Sequence, residues 1–376
     1  MRLSSIFPLA IFAASVLGDT HYFFSGFFAG TTIVGIQFDD ATSTLSLVQN
    51  IIMQASEGSK WIAIDEQRKN IYVGTTGYFQ SYAITSNLSL TYQSNISLSS
   101  DCSNANFLIA ATAPSYTVFG VQYSGGCSAQ AISVDATGAL QRTISNLTYD
   151  SSAGVHGLDL SPDNDFVYSA DDMGNAVWVH LFESTSGTAE QVQYLAAPTG
   201  ANPRHLAVHP NGQWVYVVYE ELNQLAVYSR DNTTGKLTDT NTTYPLIPPT
   251  FTNTSSYWAD EALFSIPGTN SSTGSPKYLI TGTRSRSTNS TGYVSAFSLD
   301  SSTGAITEQL FLLPSTGSGG SANAVSPSPF SEEYFAITDS GSNFIERWRI
   351  DGDAATAWAV AHLDLENGPA NVVWYS

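Results

Sequence analysis

The sequence predicts an all-β protein: a seven-bladed β-propeller with four antiparallel strands per blade, closed by N- and C-terminal strands that share one blade. Three observations predict it. One strand–turn–strand plan recurs at intervals of about 50 residues, the signature of a propeller array. Charged residues are only 12% of the chain, and Ser, Thr, Asn, Gly and aromatics stand in their place, a composition suited to strands and turns. No stretch carries the 3.6-residue period of a long helix.

The clearest copies are GVHGLDLSPDNDFVYSADD from Gly154 and NPRHLAVHPNGQWVYVVYE from Asn202. In each, a polar residue precedes a short apolar strand, a Pro-Asp or Pro-Asn turn follows, and an aromatic-rich strand returns. His156 and Arg204 mark the same position, 48 residues apart. Weaker copies begin at Ser59, Asn104, Ala259 and Ser321, and the half-copy PANVVWY begins at Pro369. Fourth-strand turns recur as ATSTLSL at Ala41, ATGALQR at Ala136, TTGKLTD at Thr233 and STGAITE at Ser302. Residues 21–37 supply outer strands without an inner one, and PANVVWY supplies the converse. The two ends are therefore expected to complete one blade and leave no open sheet edge. The longest loops are expected at residues 238–257 and 268–276, and LPSTGSGGS from Leu313 reads as a flexible connection.

The first 18 residues read as a secretory signal: Arg2, an apolar run from Ile6 to Leu17, and small residues before a cut ahead of Asp19. Residues 19–376 are then one propeller domain, and the mature protein is expected outside the cell or in its wall. The apolar run is too short to span a bilayer, and no later segment is long or apolar enough. Eight Asn-x-Ser/Thr sequons agree with export, at Asn87, Asn95, Asn146, Asn232, Asn241, Asn253, Asn270 and Asn289. In an oxidising compartment Cys102 and Cys127 read as one disulfide, and their spacing matches no zinc pattern. A net charge of −19 argues against nucleic acid or an anionic membrane as partner, because no basic face is available.

Stacking the copies leaves one column polar in every unit: Lys60, Asn106, His156, Arg204, Glu261, Asn323 and Asn371. Inner strands line a propeller's central channel, so this column should ring one mouth. Turn chemistry alone would select Asn, Asp, Ser and Gly, and does not account for His, Arg, Lys and Glu. A second set ends the second strands: Asp172, Glu220, Arg284 and Asp339. An antiparallel second strand returns to the same mouth, so both sets should meet there. Arg204, Arg284 and Lys60 would bind anions, His156 and Glu220 would titrate, and Asp172, Glu261 and Asn323 would complete a substrate-binding lining. The alternative is plain inter-blade ion pairing, such as Arg204 with Glu220. His205 and His209 read as structural, facing a neighbouring blade or solvent. Trp61, Trp178 and Trp214 stand at positions of inter-blade packing. GxSxG, HExxH, phosphate-loop and EF-hand patterns are missing, and no metal site is indicated.

On these copies the chain resembles the lactonase-type propellers, which include the propeller 6-phosphogluconolactonases. Within that group it is similar to the fungal carboxy-cis,cis-muconate cyclases. The segments NPRHLAVHPNGQWVYVVYEELNQLAVY and GVHGLDLSPDNDFVYSADDMGNAVWVH carry the resemblance. It implies His156, Arg204 of Pro-Arg-His, Glu220 and Arg284 of Thr-Arg as catalytic groups, with Arg286 competing for the last place. It implies interconversion of a carboxylated muconate and its lactone, without cofactor or metal. Arginines would orient the substrate carboxylates, and Glu220 or His156 would supply a proton. Two other readings stand beside it: a lactone hydrolase acting on a small-molecule lactone, and a non-catalytic propeller platform. The export signal sets the chain apart from intracellular aromatic catabolism.

Overall fold

The computed structural model describes residues 19–54, 58–251, 253–268 and 274–376. They form seven four-stranded antiparallel sheets. The first blade is shared between the chain ends: Pro369–Trp374 is its innermost strand, followed outward by Thr20–Phe27, Thr32–Asp39 and Thr44–Ile52. Phe23 pairs with Trp374 and Phe24 with Val373, which closes the ring as the half-copies require. The other six blades follow in chain order, at residues 61–97, 105–147, 155–196, 203–245, 257–314 and 325–364.

Position within a blade dictates the pattern of each strand. Second and third strands are covered on both faces by neighbouring blades, so Ile71, Tyr72 and Val73, like Val215, Tyr216, Val217 and Val218, are all buried. Fourth strands lie at the rim and carry mostly Thr, Asp and Asn, as in Leu237–Pro245. The turns use residues that tolerate positive φ: Asn164 at 62° in the Pro-Asp-Asn turn and Gly212 at 76° in the Pro-Asn-Gly turn. The core is distributed between blades. Tyr168, Val177 and Val179 of the fourth pack on Leu206, Val217 and Tyr219 of the fifth, each burial contributing roughly 2 kcal/mol. Trp61 packs on Phe107, Trp178 packs on Tyr149 and Tyr194, and the Trp214 Nε1–H donates to the carbonyl of Thr303.

Arg347 seals the seam between the seventh blade and the shared one. Its guanidinium carbon lies 4.1, 4.5, 4.3 and 5.1 Å from the ring centres of Phe38, Phe330, Tyr334 and Trp374. None of its guanidinium nitrogens has a hydrogen-bond partner among the described residues. Burial lowers its pKa to about 9.

Cys102 and Cys127 are joined, tying the entry of the third blade's inner strand to the turn after its second strand. The helical content of the described residues is two short 3₁₀ turns, Ser100–Cys102 and Thr254–Ser256. Among them, no helix is long and apolar enough to cross a membrane. The leader at residues 1–18 and the sequon asparagine Asn270 lie outside the described residues; the other seven sequon asparagines are exposed. The Gly-rich segment after Leu313 differs from its sequence reading. It is tied down at the site's mouth, with Ser318 O accepting from Ser285 N and Gly319 N donating to Asp339.

Candidate active site

Much of the polar column lies on β-bulges. Three inner strands insert an extra residue near their start: Asn106 between Ala105 and Phe107, His156 between Val155 and Gly157, and Asp260 between Ala259 and Glu261. In the fifth blade the irregularity falls between Pro203 and Leu206, at Arg204 and His205. A bulged residue leaves the ladder, and its side chain is re-aimed, here toward the channel mouth. The register corrects one sequence assignment. Asp260, not Glu261, occupies the sixth blade's place in the column. The signal was present, because Ala259-Asp260 matches the Ala-Asn pairs at 105–106, 322–323 and 370–371.

Four charged side chains close into one cluster. Arg204 Nε donates to Asp260 Oδ1 at 2.7 Å, and Arg204 Nη1 donates to Glu220 Oε1 at 3.1 Å. Arg284 Nη2 donates to the same Glu220 oxygen at 2.8 Å, and its Nε lies 3.6 Å from Asp260 Oδ2. Arg284 Nη1 reaches Gly320 O at 3.3 Å, and its guanidinium covers the Trp258 ring at 4.5 Å. Asn323 contributes through its backbone, whose N–H donates to Asp260 Oδ2 at 2.7 Å. All four side chains are buried, with no more than 8% of any residue exposed.

The two carboxylates are driven apart. Burial raises the Glu220 pKa, and Arg204 and Arg284 only partly offset it because Asp172 and Asp260 stand close. Burial also acts against ionised Asp260, but both arginines and the Asn323 N–H outweigh it and hold this carboxyl low. Burial lowers the Arg284 pKa, assisted by Arg204. Arg204 is desolvated too, yet Asp260, Glu220 and Asp172 together raise its pKa. One carboxyl held low and one pushed up therefore sit between the same two guanidiniums.

His156 lies beside this cluster in a line of polar contacts. Asn106 Nδ2 is 3.2 Å from His156 Nε2, and His156 Nδ1 is 3.0 Å from His205 Nε2. His205 Nδ1 lies 3.1 Å from Glu261 Oε1, with the N–H direction oblique to that oxygen. The Tyr123 ring stands edge-on to His156 at 5.0 Å, and its hydroxyl donates to Asp172. Burial, with Arg204, His205 and Arg284, lowers the His156 pKa well below the ordinary value. His205 thus faces the neighbouring blades, as its sequence reading expects, and its partners there are His156 and Glu261. His209 packs on Phe264, as expected for a structural residue.

The remaining column members serve elsewhere. Lys60 Nζ donates to Asn104 Oδ1 at 2.5 Å beside the disulfide, on the other side of His156 from the arginines. Asn371 exchanges two hydrogen bonds with the Ile62 backbone. Asp339 caps a turn through Gly341 N and Ser342 N, so it does not join Asp172 and Glu220 in the lining set. Arg286 lies beyond the strand end and pairs with Glu221 at 2.6 Å over Trp258, leaving the buried place to Arg284. The opposite mouth holds a cavity of about 540 Å³ lined by apolar residues including Ile64, Ile109, Leu263, Phe264 and Trp374. Arg68 is its one basic lining group, a poor match for a polyanion.

Paired arginines, two unlike carboxylates and a histidine thus stand together in a seven-bladed ring, and the comparisons give its class as a propeller enzyme of the lactonase and cycloisomerase superfamily. The chain belongs to the lactonase family of seven-bladed β-propellers, whose model matches residues 23–309. It is similar to the carboxy-cis,cis-muconate cyclase of Neurospora crassa, 31% identical over 91% of this chain and 95% of that protein. It is also similar to muconate cycloisomerase 1 of Cutaneotrichosporon cutaneum, 28% identical over 85% of this chain and 88% of that protein. In fold it is like the periplasmic gluconolactonase PpgL of Pseudomonas aeruginosa, with a TM-score of 0.77 at 16% identity, covering 95% of this chain and 99% of that one.

Proposed function

We propose that this protein is a secreted glycoprotein that interconverts a carboxylated muconate and its lactone, as a cycloisomerase of the carboxymuconate cyclase type. The observation that carries the reading is the convergence of Arg204 and Arg284 on Glu220, a carboxyl whose pKa is raised. The 31% identity to the Neurospora crassa enzyme over nearly the whole chain supports the substrate class.

The substrate's carboxylates would take the arginine forks and be held in attack geometry. One substrate carboxylate oxygen forms a bond to the conjugated alkene carbon. The alkene pair moves to the neighbouring carbon, which takes the proton from Glu220. Glu220 is left as carboxylate and is reprotonated from solvent. The sum is one proton consumed and one negative charge lost from the substrate on lactonisation. The charge arithmetic favours this order: with Glu220 ionised the arginines are already neutralised by Glu220 and Asp260, whereas with Glu220 protonated the cluster has a positive surplus for a polyanion. His156, His205 and Glu261 bound the proton-bearing side of the site. Asp172 and Asn323 would line its wider rim.

The test is the ultraviolet absorbance of 3-carboxy-cis,cis-muconate mixed with purified protein, with Arg204→Lys alongside. Loss of the conjugated-diene band with wild type, slowed at least about a hundredfold by the variant, supports the reading. An unchanged band with folded wild type sinks it. A second reading, lactone hydrolysis with water as nucleophile, is favoured by the family match; acid release from a panel of lactones measures it. Export rests on residues 1–18 and the exposed sequons. N-terminal sequencing of protein recovered from medium should begin near Asp19, and retention of Met1 would overturn the claim.

A further inference from the structure

We infer that His205 and Glu261 are positioning residues that hold His156 as the neutral tautomer with its proton on Nδ1, leaving Nε2 as an acceptor. Both ends of the contact line demand the same proton order. At one end, Asn106 Nδ2 lies 3.3 Å from the backbone carbonyl of His156 and 3.2 Å from His156 Nε2. A carbonyl can only accept, so the amide atom facing it is the NH₂, and His156 Nε2 must accept from that same group. At the other end, Glu261 Oε1 lies 3.1 Å from His205 Nδ1, oblique to the ring N–H direction; of the two neutral His205 tautomers, the one protonated on Nδ1 avoids setting a lone pair toward that oxygen and leaves Nε2 as a lone pair. That lone pair stands 3.0 Å from His156 Nδ1 and accepts its proton. The reverse order would set a lone pair of His205 against the Glu261 carboxylate, with both side chains buried.

The fold provides for this contact. The site has Gly157 where a Cβ would come within 2.4 Å of His205 Cδ2 and 2.8 Å of Arg204 O. Trp61 and Phe107 pack on the other sides of the His205 ring at 5.3 and 5.4 Å. Glu261 Oε2 has no hydrogen-bond partner among the described residues, so a small rotation of that carboxylate can straighten the contact. A neutral His156 with Nε2 accepting is not a proton source. The acid of the lactonising direction is then Glu220, whose carboxylate takes the same proton back in the reverse direction, and His156 serves as a fixed hydrogen-bond acceptor; this catalytic meaning rests on the reaction proposed above.

The experiment labels the histidines with ¹⁵N and reads long-range ¹H–¹⁵N correlations of the full chain without substrate. His156 is assigned by the signals lost in His156→Gln. The expected wild-type pattern is a protonated Nδ1 and an unprotonated Nε2. In Glu261→Gln and His205→Gln the His156 proton should redistribute toward Nε2. In the same variants kcat should fall about 10–100-fold with KM within about twofold of wild type, the pattern of a lost positioning contact. A proton on Nε2 in wild type overturns the inference, and so does an unchanged His156 pattern in both folded variants. A wild type with the expected tautomer and no cyclase activity would sink the proposed reaction and leave the relay standing.

Discussion

Arg204 and Arg284 share a single oxygen, Glu220 Oε1, at 3.1 and 2.8 Å, although they come from different blades. Arg204 lies on an inner-strand bulge of the fifth blade, and Arg284 ends the second strand of the sixth. The cluster therefore carries stability as well as chemistry. Arg204→Ala should lower unfolding free energy by about 3–5 kcal/mol, because it leaves a buried Asp260 short of its main partner. Urea denaturation measures this. The milder Arg204→Lys separates the lost fork from the lost fold.

Glu220→Gln should reduce turnover about 10²–10⁴-fold, the usual worth of a general acid, while the folded state persists. Stopped-flow absorbance with matched circular dichroism checks both. A variant within about threefold of wild type would remove Glu220 from the proton-donor role.

Anion affinity should fall as pH rises. The Glu220 pKa is raised by burial, and a bound polyanion raises it further, so binding takes up a proton. Affinity is fullest below the Glu220 pKa of the free protein and declines above it by at most about tenfold per pH unit. Titration of a non-reactive tricarboxylate across that range should show the slope in wild type and a flat line in Glu220→Gln.

His180 gives a stability test away from the site. Burial lowers its pKa to about 4, and its Nε2 lies 3.1 Å from Thr148 O. The unfolded chain takes up a proton near pH 6.5 and the folded chain does not until about pH 4, so the stabilisation present above 6.5 is lost as pH falls through this window. His156 adds to the same trend. His180→Gln should flatten the loss by roughly 3 kcal/mol at pH 4, read by denaturant titration at several pH values.

Arg347→Met should match or exceed wild-type stability. The cage presents aromatic faces, and among the described residues no acceptor bonds the guanidinium and no carboxylate pairs with it, so the cation is desolvated without an ion-pair partner. Arg347→Ala should instead cost about 2–4 kcal/mol by leaving a void among four rings. Thermal melts of the two variants decide it. A destabilised methionine variant would mean that cation–π attraction outweighs desolvation here.

Most of the architecture was readable because each copy repeats turn chemistry and strand pattern together. The copies from Gly154 and Asn202 placed His156, Arg204 and Glu220 at one mouth, and the register agrees. Column reading failed where register depends on a bulge: Asp260 and Glu261 are adjacent acids, and only the strand pairing separates them. It failed also where a polar residue serves the backbone, as Asn371 does for Ile62. His205 was read as facing a neighbouring blade, but stacking the copies gave no sign that its partner there is His156, 49 residues away. Arg347 gave no sign at all, since its four rings are collected from distant parts of the chain.

The pairing of Phe23 with Trp374 has a consequence for how the molecule comes into being. The first blade cannot acquire its innermost strand until Pro369–Trp374 has emerged from the ribosome or the translocation pore. Until then six sheets can stack, but Phe23 and Phe24 face water and the circle is a horseshoe. Closure joins segments nearly a full chain length apart, the most entropically demanding contact such a chain can make. Its last few residues thus act as a checkpoint on completeness: a chain cut short before them exposes a sticky strand edge at the gap, where quality-control chaperones would find it.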